Sequence, residues 1–91
     1  MIEFDPHKRL LTLAERGLDF ERAMEVFGGR HVTAEDSRED YSELRFITVG
    51  ELDARLVVVV WTRRGDVRRI ISMRKANDRE KARHAQRMGG P

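Results

Sequence analysis

Between Arg55 and Thr62 the chain holds a continuous apolar run, Leu56-Val57-Val58-Val59-Val60-Trp61, in a sequence that is otherwise 37% charged. Four consecutive valines are stiff at χ1 and favour extended backbone, and an unbroken apolar stretch of this length suits a central strand. A central strand needs neighbours. Arg45-Phe46-Ile47-Thr48-Val49, ending at Gly50, and Val67 to Met73 are β-rich segments on either side of it. The intervening Glu51–Ala54 and Arg63–Asp66 are short enough for antiparallel hairpin turns, so the second half of the chain reads as a meander.

The first half has helical spacing. Asp5 offers an N-cap oxygen and Pro6 fits the first helical position, where its missing N–H costs nothing. The helix is expected to run to about Arg16 with Leu10, Leu13, Ala14 and the flanking Leu18 as its apolar stripe, and Gly17 to close it in a left-handed cap. Asp19 caps a second expected helix from Phe20 to about Val26, whose Phe20, Ala23, Met24 and Phe27 recur at helical spacing before Gly28-Gly29. His31 to Thr33 can start a further strand, and the acidic stretch from Ala34 to Glu43 reads as a loop. After the meander, Asn77 and Glu80 form a capping box opening a last helix, with Ala82, Ala85 and Met88 on one side before Gly89-Gly90. The expected fold is therefore α+β: two N-terminal helices, a three- to four-stranded antiparallel sheet with one face covered by helices, and a C-terminal helix. No repeat or long linker divides residues 1–91, which are expected to form one domain.

Composition narrows the function classes. There is no cysteine, so disulfides, thiolate metal sites and cysteine nucleophiles are excluded, and the three histidines match no zinc spacing, so neither a metal nor a cofactor is expected. The opening Met1–Leu10 lacks a signal peptide's apolar core and no run approaches the roughly 20 residues needed to span a bilayer, which points to the cytoplasm and away from membranes. The net charge of +2 conceals an asymmetry: through Thr62 there are 8 Lys+Arg against 13 Asp+Glu, and from Arg63 onward 10 against 3. A basic C-terminal third on an acidic chain is the footprint of a polyanion site, with nucleic acid as the leading candidate, although a charge run also serves as a solvated face. No helix-turn-helix is visible, which weakens a regulator acting alone on DNA.

The ordered residues carry a resemblance. Phe4-Asp5-x-x-Lys8, Gly17-Leu18-Asp19-Phe20-Glu21-x-Ala23-x-x-Val26-Phe27, Arg45-Phe46-Ile47-x-Val49-Gly50, and Arg69 through Ala76 followed by Glu80 resemble the BrnT family over nearly the whole chain. That resemblance implies a RelE-like fold, ribonuclease activity as the toxin of a bacterial type II toxin–antitoxin system, and neutralisation by a BrnA antitoxin that also binds operator DNA. Contact with operator DNA would then come only through the antitoxin complex. Two positions depart from the family: Arg16 where histidine is common before the glycine, and His84 where an aromatic, often tyrosine, is common.

A metal-independent ribonuclease of this kind uses the RNA's own 2′-hydroxyl as nucleophile, so the protein must hold the scissile phosphate, offset developing negative charge and move protons. Guanidinium groups suit the first two tasks. Arg74 ends the third strand of the meander and is the favoured phosphate clamp, with pairing to an acid such as Glu80 as the structural alternative; Lys75 must point to the opposite face. Glu80 can complete the capping box or act as a general base. Arg79, Arg83 and Arg87 recur every four residues on the last helix and could track a phosphate backbone, dock an acidic segment of an antitoxin, or keep the helix soluble. His84 is a candidate acid or base. Trp61 followed by Arg63 and Arg64 could stack a base beside basic contacts, or Trp61 could belong to the core. The catalytic candidates are thus Arg74, Glu80, Arg83 and His84, and the RNA-binding candidates Trp61, Arg63, Arg64, Lys75 and Arg79. A catalytically inert RNA- or antitoxin-binding module would use the same basic stripe.

Overall fold

The computed structural model describes residues 1–87; Met88 and Gly89-Gly90, expected to complete and end the last helix, lie outside the described residues. The valine run forms the heart of strand β4 (Arg55–Arg64), which pairs antiparallel on one side with β3 (Arg45–Leu52) and on the other with β5 (Val67–Lys75). The meander is present, and its strands run longer than expected. The first turn shrinks to Asp53-Ala54, both at positive φ (52° and 62°), the backbone of a two-residue hairpin whose twist matches its strands. The second closes through Gly65, at φ 60°, where a left-handed conformation carries no Cβ penalty.

β2 (His31–Glu35) adds antiparallel to β3, and a fifth strand, β1 (Ile2–Phe4), lies parallel to β5, giving the order β1-β5-β4-β3-β2. The sheet is therefore five-stranded and mixed, a correction to the expected three or four antiparallel strands. Three residues are too few to show an alternating pattern, and β1 is extended because its neighbour pairs with it, not because Ile2-Glu3-Phe4 demands it. Of the expected α-hairpin, α1 (Pro6–Arg16) keeps its predicted bounds, with Asp5 capping the His7 N–H at 2.9 Å and Gly17 at φ 69°. The second helix is instead a 3₁₀ turn over Phe20–Arg22 continuing into the short α2 (Ala23–Gly28). The last helix is α3 (Asp78–Arg87).

The core occupies the sheet face under α2. Phe20, Ala23 and Val26 are fully buried against Val57, Val59, Ile70 and Met73. Phe27 meets the Trp61 ring edge-on at 5.6 Å between centroids, and Phe46 stacks on it at 4.7 Å. Gly50 is needed for this approach: a Cβ there would come within 3.0 Å of Val26 Cγ1. A bulge between Val60 and Trp61 leaves Ile71 as the extra residue of β5, because Val60 faces Ser72 and Trp61 faces Ile70.

α1 is turned opposite to expectation. Its polar side meets the protein: Lys8 Nζ donates to the Ile71 carbonyl at 2.6 Å, Arg16 Nη1 to the Met73 carbonyl at 2.8 Å, and Arg9 pairs with both oxygens of Asp19 at 2.8 and 3.0 Å. Of the expected core stripe, Leu10 and Leu13 are 61 and 39% exposed, Ala14 is exposed as well, and only the flanking Leu18 is buried; Leu11 adds a further side chain, 47% exposed, to this outer face. The cause is the brevity of β1, which pairs with β5 no further than Ile70. Beyond it the carbonyls of the β5 edge lack a strand partner, and α1 supplies side-chain donors in its place. Arg16, the departure from the family's common histidine, is one of these donors.

Candidate nucleic-acid interface

The second sheet face is built from the alternate residues of the same strands. Pairing sets Val32, Val49, Val58 and Arg74 in one row across β2, β3, β4 and β5, and Ala34, Ile47, Val60 and Ser72 in the next. The first row is apolar until it reaches a guanidinium. α3 lies along this face, starting from Ala76, whose N–H donates to the Leu56 carbonyl at 2.9 Å. Its first turn is the capping box read from the sequence: Asn77 N–H to Glu80 Oε1 at 2.9 Å and Glu80 N–H to Asn77 Oδ1 at 2.8 Å.

Glu80 has a second task. Both its oxygens accept from Arg74, Nη1 to Oε1 and Nη2 to Oε2, each at 2.7 Å. The Arg74 hydrogen bonds are the main reason the carboxyl is held down at a pKa of about 2, with the Asn77 amide and the charge of Arg83 adding to it against partial burial. Glu80 thus accepts from three N–H donors, two on Arg74 and one on Asn77, and fixes Arg74 while closing the capping box. Both Arg74 readings meet in one geometry: it is paired with Glu80, and it stands on the open face.

Between α3 and the sheet lies a cavity of about 290 Å³, floored by Val32, Ala34, Ile47 and Val49 and bordered by Glu80, Arg83, His84 and Arg87. All three arginines are exposed, and of them Arg83 and Arg87 border the cavity while Arg79 does not. A four-residue repeat advances 400° on a helix of 3.6 residues per turn, so the stripe drifts by about 40° per step and the capping box decides which members face the sheet. Ala82 and Ala85, expected to dock the helix, are exposed. His84 is half-buried between this cavity and a larger one of about 580 Å³ on the other flank of α3, and its Nδ1 is buried with no hydrogen-bond partner among the described residues.

The opposite rim holds a residue that sequence reading missed. Asp36 is buried at the exit of β2 and its carboxylate accepts from Arg38 Nε and Nη2 at 2.8 and 2.9 Å, which lowers the Asp36 pKa and raises that of Arg38. The Arg38 side chain is 64% exposed, borders the cavity, and lies near enough to Arg74 for the two charges to oppose. The signal available in the sequence was an arginine alone in an acidic stretch, two residues from an aspartate that can clamp it. Arg38, Arg83 and Arg87 line the cavity together with Glu35, Asp36 and Glu80, so its lining is balanced in formal charge, and Arg74, bound to Glu80 beside it, adds one positive charge.

The remaining candidates are not in this cleft. Trp61 is 4% exposed, its Nε1 donates to Thr48 Oγ1 at 2.8 Å, and both ring faces are taken by the core and by Arg68, so it has no surface for a base. Its expected stacking role is withdrawn because regular alternation along β4 puts Trp61 on the packed face with Val57 and Val59. Arg63 alternates to that same side. Arg64, on the cleft side, pairs with Glu43 at 3.4 Å and lies six residues along β4 from Val58, the partner of Arg74, hence about 20 Å away. Lys75 points away from Arg74, as alternation requires.

The fold and site define a small α+β protein with an arginine-lined cleft under its last helix. A family model described as the ribonuclease toxin BrnT of type II toxin–antitoxin systems matches residues 4–80, and the chain belongs to that family. The resemblance read from the ordered residues and this match agree. A search of curated proteins finds no match. Family membership gives the chain an RNA substrate class and an antitoxin as partner. No helix among the described residues is long and apolar enough to cross a membrane.

Proposed function

We propose that the chain is a metal-independent endoribonuclease of RelE-like type, a single cytoplasmic domain that cleaves RNA in the cleft between α3 and the β2–β4 face. A BrnA-like antitoxin neutralises it and is its sole route to operator DNA. One observation carries this reading: three arginines, Arg38, Arg83 and Arg87, border one cavity, and a fourth, Arg74, is held beside it bidentately by the cavity-lining Glu80. Guanidinium groups so fixed are ready to receive a phosphodiester without reorganising.

In the proposed step the 2′-oxygen bonds to the adjacent phosphorus as its proton leaves, and the bond from phosphorus to the 5′-oxygen breaks as that oxygen gains a proton. Arg83 and Arg38 grip the non-bridging oxygens from opposite rims, and Arg74, oriented by Glu80, faces the charge that grows on them. His84 is the proton carrier, its ring already half withdrawn from solvent on the inward side of α3. The products are a 2′,3′-cyclic phosphate and a 5′-hydroxyl.

The test is labelled RNA incubated with the purified chain in excess EDTA, with product ends identified by mass spectrometry. Cyclic phosphate ends that vanish in His84→Ala support the scheme. RNA bound but never cut would establish the rival reading, a binding module without turnover.

A further inference from the structure

An amphipathic helix ordinarily buries its apolar stripe, and α1 does the reverse. Lys8, Arg9 and Arg16 are spent on the protein while Leu10 and Leu11 stand in solvent. At the C-terminal end of this face, Leu13 leads into a cavity of about 650 Å³ that Leu18, Leu52 and Val57 also line. The rim of that cavity is basic. Of its charged groups, Asp19 is taken by Arg9, and Asp53 and Arg22 hold each other, which leaves Arg16, Arg55 and Lys75 as the surplus. Arg16 spends its hydrogen bond on a neutral carbonyl and keeps its charge uncompensated. The surface runs along the outer edge of β5 and onto the α2 side, whereas the arginine cleft opens on the α3 side. Lys75 and Arg74, neighbours in sequence, belong to different surfaces.

We propose that the α1 leucine face and this adjoining cavity dock the antitoxin through an amphipathic segment bearing acidic side chains, a proposal that rests on the partner read from the family. A helix of such a segment would lay aliphatic side chains along Leu10, Leu11 and Leu13 and set a carboxylate toward Lys75 and Arg55. A second copy of the chain fits worse on two counts. The face is only about 16 Å long and 10 Å wide, far below the roughly 800 Å² per partner of a stable interface. A symmetric pairing would also set the basic rim against itself. An antitoxin segment has neither problem, since its chain can continue to further contacts beyond this face.

The experiment uses the full chain co-expressed with its cognate antitoxin. Calorimetry compares the antitoxin affinity of the wild type with that of Leu10→Glu/Leu11→Glu and of Lys75→Glu, and hydrogen exchange maps the wild-type complex. Exposed positions keep the variants folded, which circular dichroism checks, and Leu10→Ser/Leu11→Ser serves if the glutamates do not fold. The expected result is a loss of roughly 30-fold or more for the leucine pair, the scale of an interface hot spot. RNA cleavage by the free variant should stay unchanged, and the amides of residues 7–17 should be protected in the complex. Unchanged affinity in both variants with a wild-type complex intact would overturn the docking surface. A wild type that binds no antitoxin would overturn the partner reading itself. Self-association of the wild type that disappears in the leucine variant, with antitoxin binding unaltered, would assign the face to a second copy and refute the proposal.

Discussion

The two faces of the sheet share strands and even consecutive residues, yet they are built for opposite ends. Toward α2, Val57, Val59 and Trp61 meet Phe20, Val26 and Phe27 in a closed aromatic core. Toward α3, Val58 and Val60 are buried too, but beside them Val32, Ala34, Ile47 and Val49 floor a cleft where polar contacts take over from packing: a capping box, the Arg74–Glu80 pair, the Asp36–Arg38 clamp and a half-buried histidine. The difference teaches that stability and chemistry have been separated across one layer of backbone. A change on the first face should cost folding, and a change on the second should cost function, because buried apolar volume is what holds so small a domain together while exposed ion pairs contribute little.

Substitutions on each face can break or sharpen that contrast. The largest effect should be on the packed side: Trp61→Ala removes the indole between Phe27 and Phe46 and is expected to cost about 3–5 kcal/mol, measured by urea denaturation, enough to unfold much of a marginal domain. A loss under about 1 kcal/mol would mean that the aromatic cluster is not the core. On the open side, Arg83→Ala should lower the RNA cleavage rate by about 100-fold with a melting temperature within a few degrees of wild type. A shared intermediate case is Glu80. Its folded pKa of about 2 lies below the ordinary carboxylate value, so its contribution is fully present above about pH 4.5 and is lost as the pH falls toward 2. Comparing acid unfolding of the wild type with Glu80→Gln should reveal a difference, on the order of 2 kcal/mol, that closes across that window; parallel curves would show that the pair adds no stability. The smallest effect belongs to Arg38→Ala, which should reduce the salt dependence of RNA affinity by about one phosphate contact. An unaltered slope would remove Arg38 from the RNA path.

What could be read from the sequence follows the range of the forces involved. The α1 bounds, the Asn77–Glu80 capping box and the meander are local, set by caps, a glycine and a run of valines, and they appear where the residues placed them. β1 was invisible because three residues carry no period, and its parallel pairing is a tertiary event. The leucine stripe of α1 announced a helix correctly but not which side meets the protein; that was decided by the unpaired carbonyls of Ile71 and Met73, which no pattern in residues 6–16 encodes. In the same way Arg74, Glu80, Arg83 and His84 were legible as a group because they straddle one strand end and one helix. Arg38 was not, since only the fold of an acidic loop brings it across from α3. Trp61 stood beside arginines in sequence and away from the cleft in space, because alternation along β4 places it with Val57 and Val59 on the packed face.

The most direct measurement pairs stability with turnover in Arg74→Ala, a substitution one residue away from the buried Met73 but on the other side of the sheet. Urea denaturation and single-turnover RNA cleavage would be recorded on the same preparation beside the wild type. Division of labour between the faces predicts a folded variant, at most about 1–2 kcal/mol less stable, whose cleavage rate falls by two orders of magnitude or more. Cleavage at the wild-type rate by the folded variant would contradict the account, because the chemistry would then lie somewhere other than the arginine cleft.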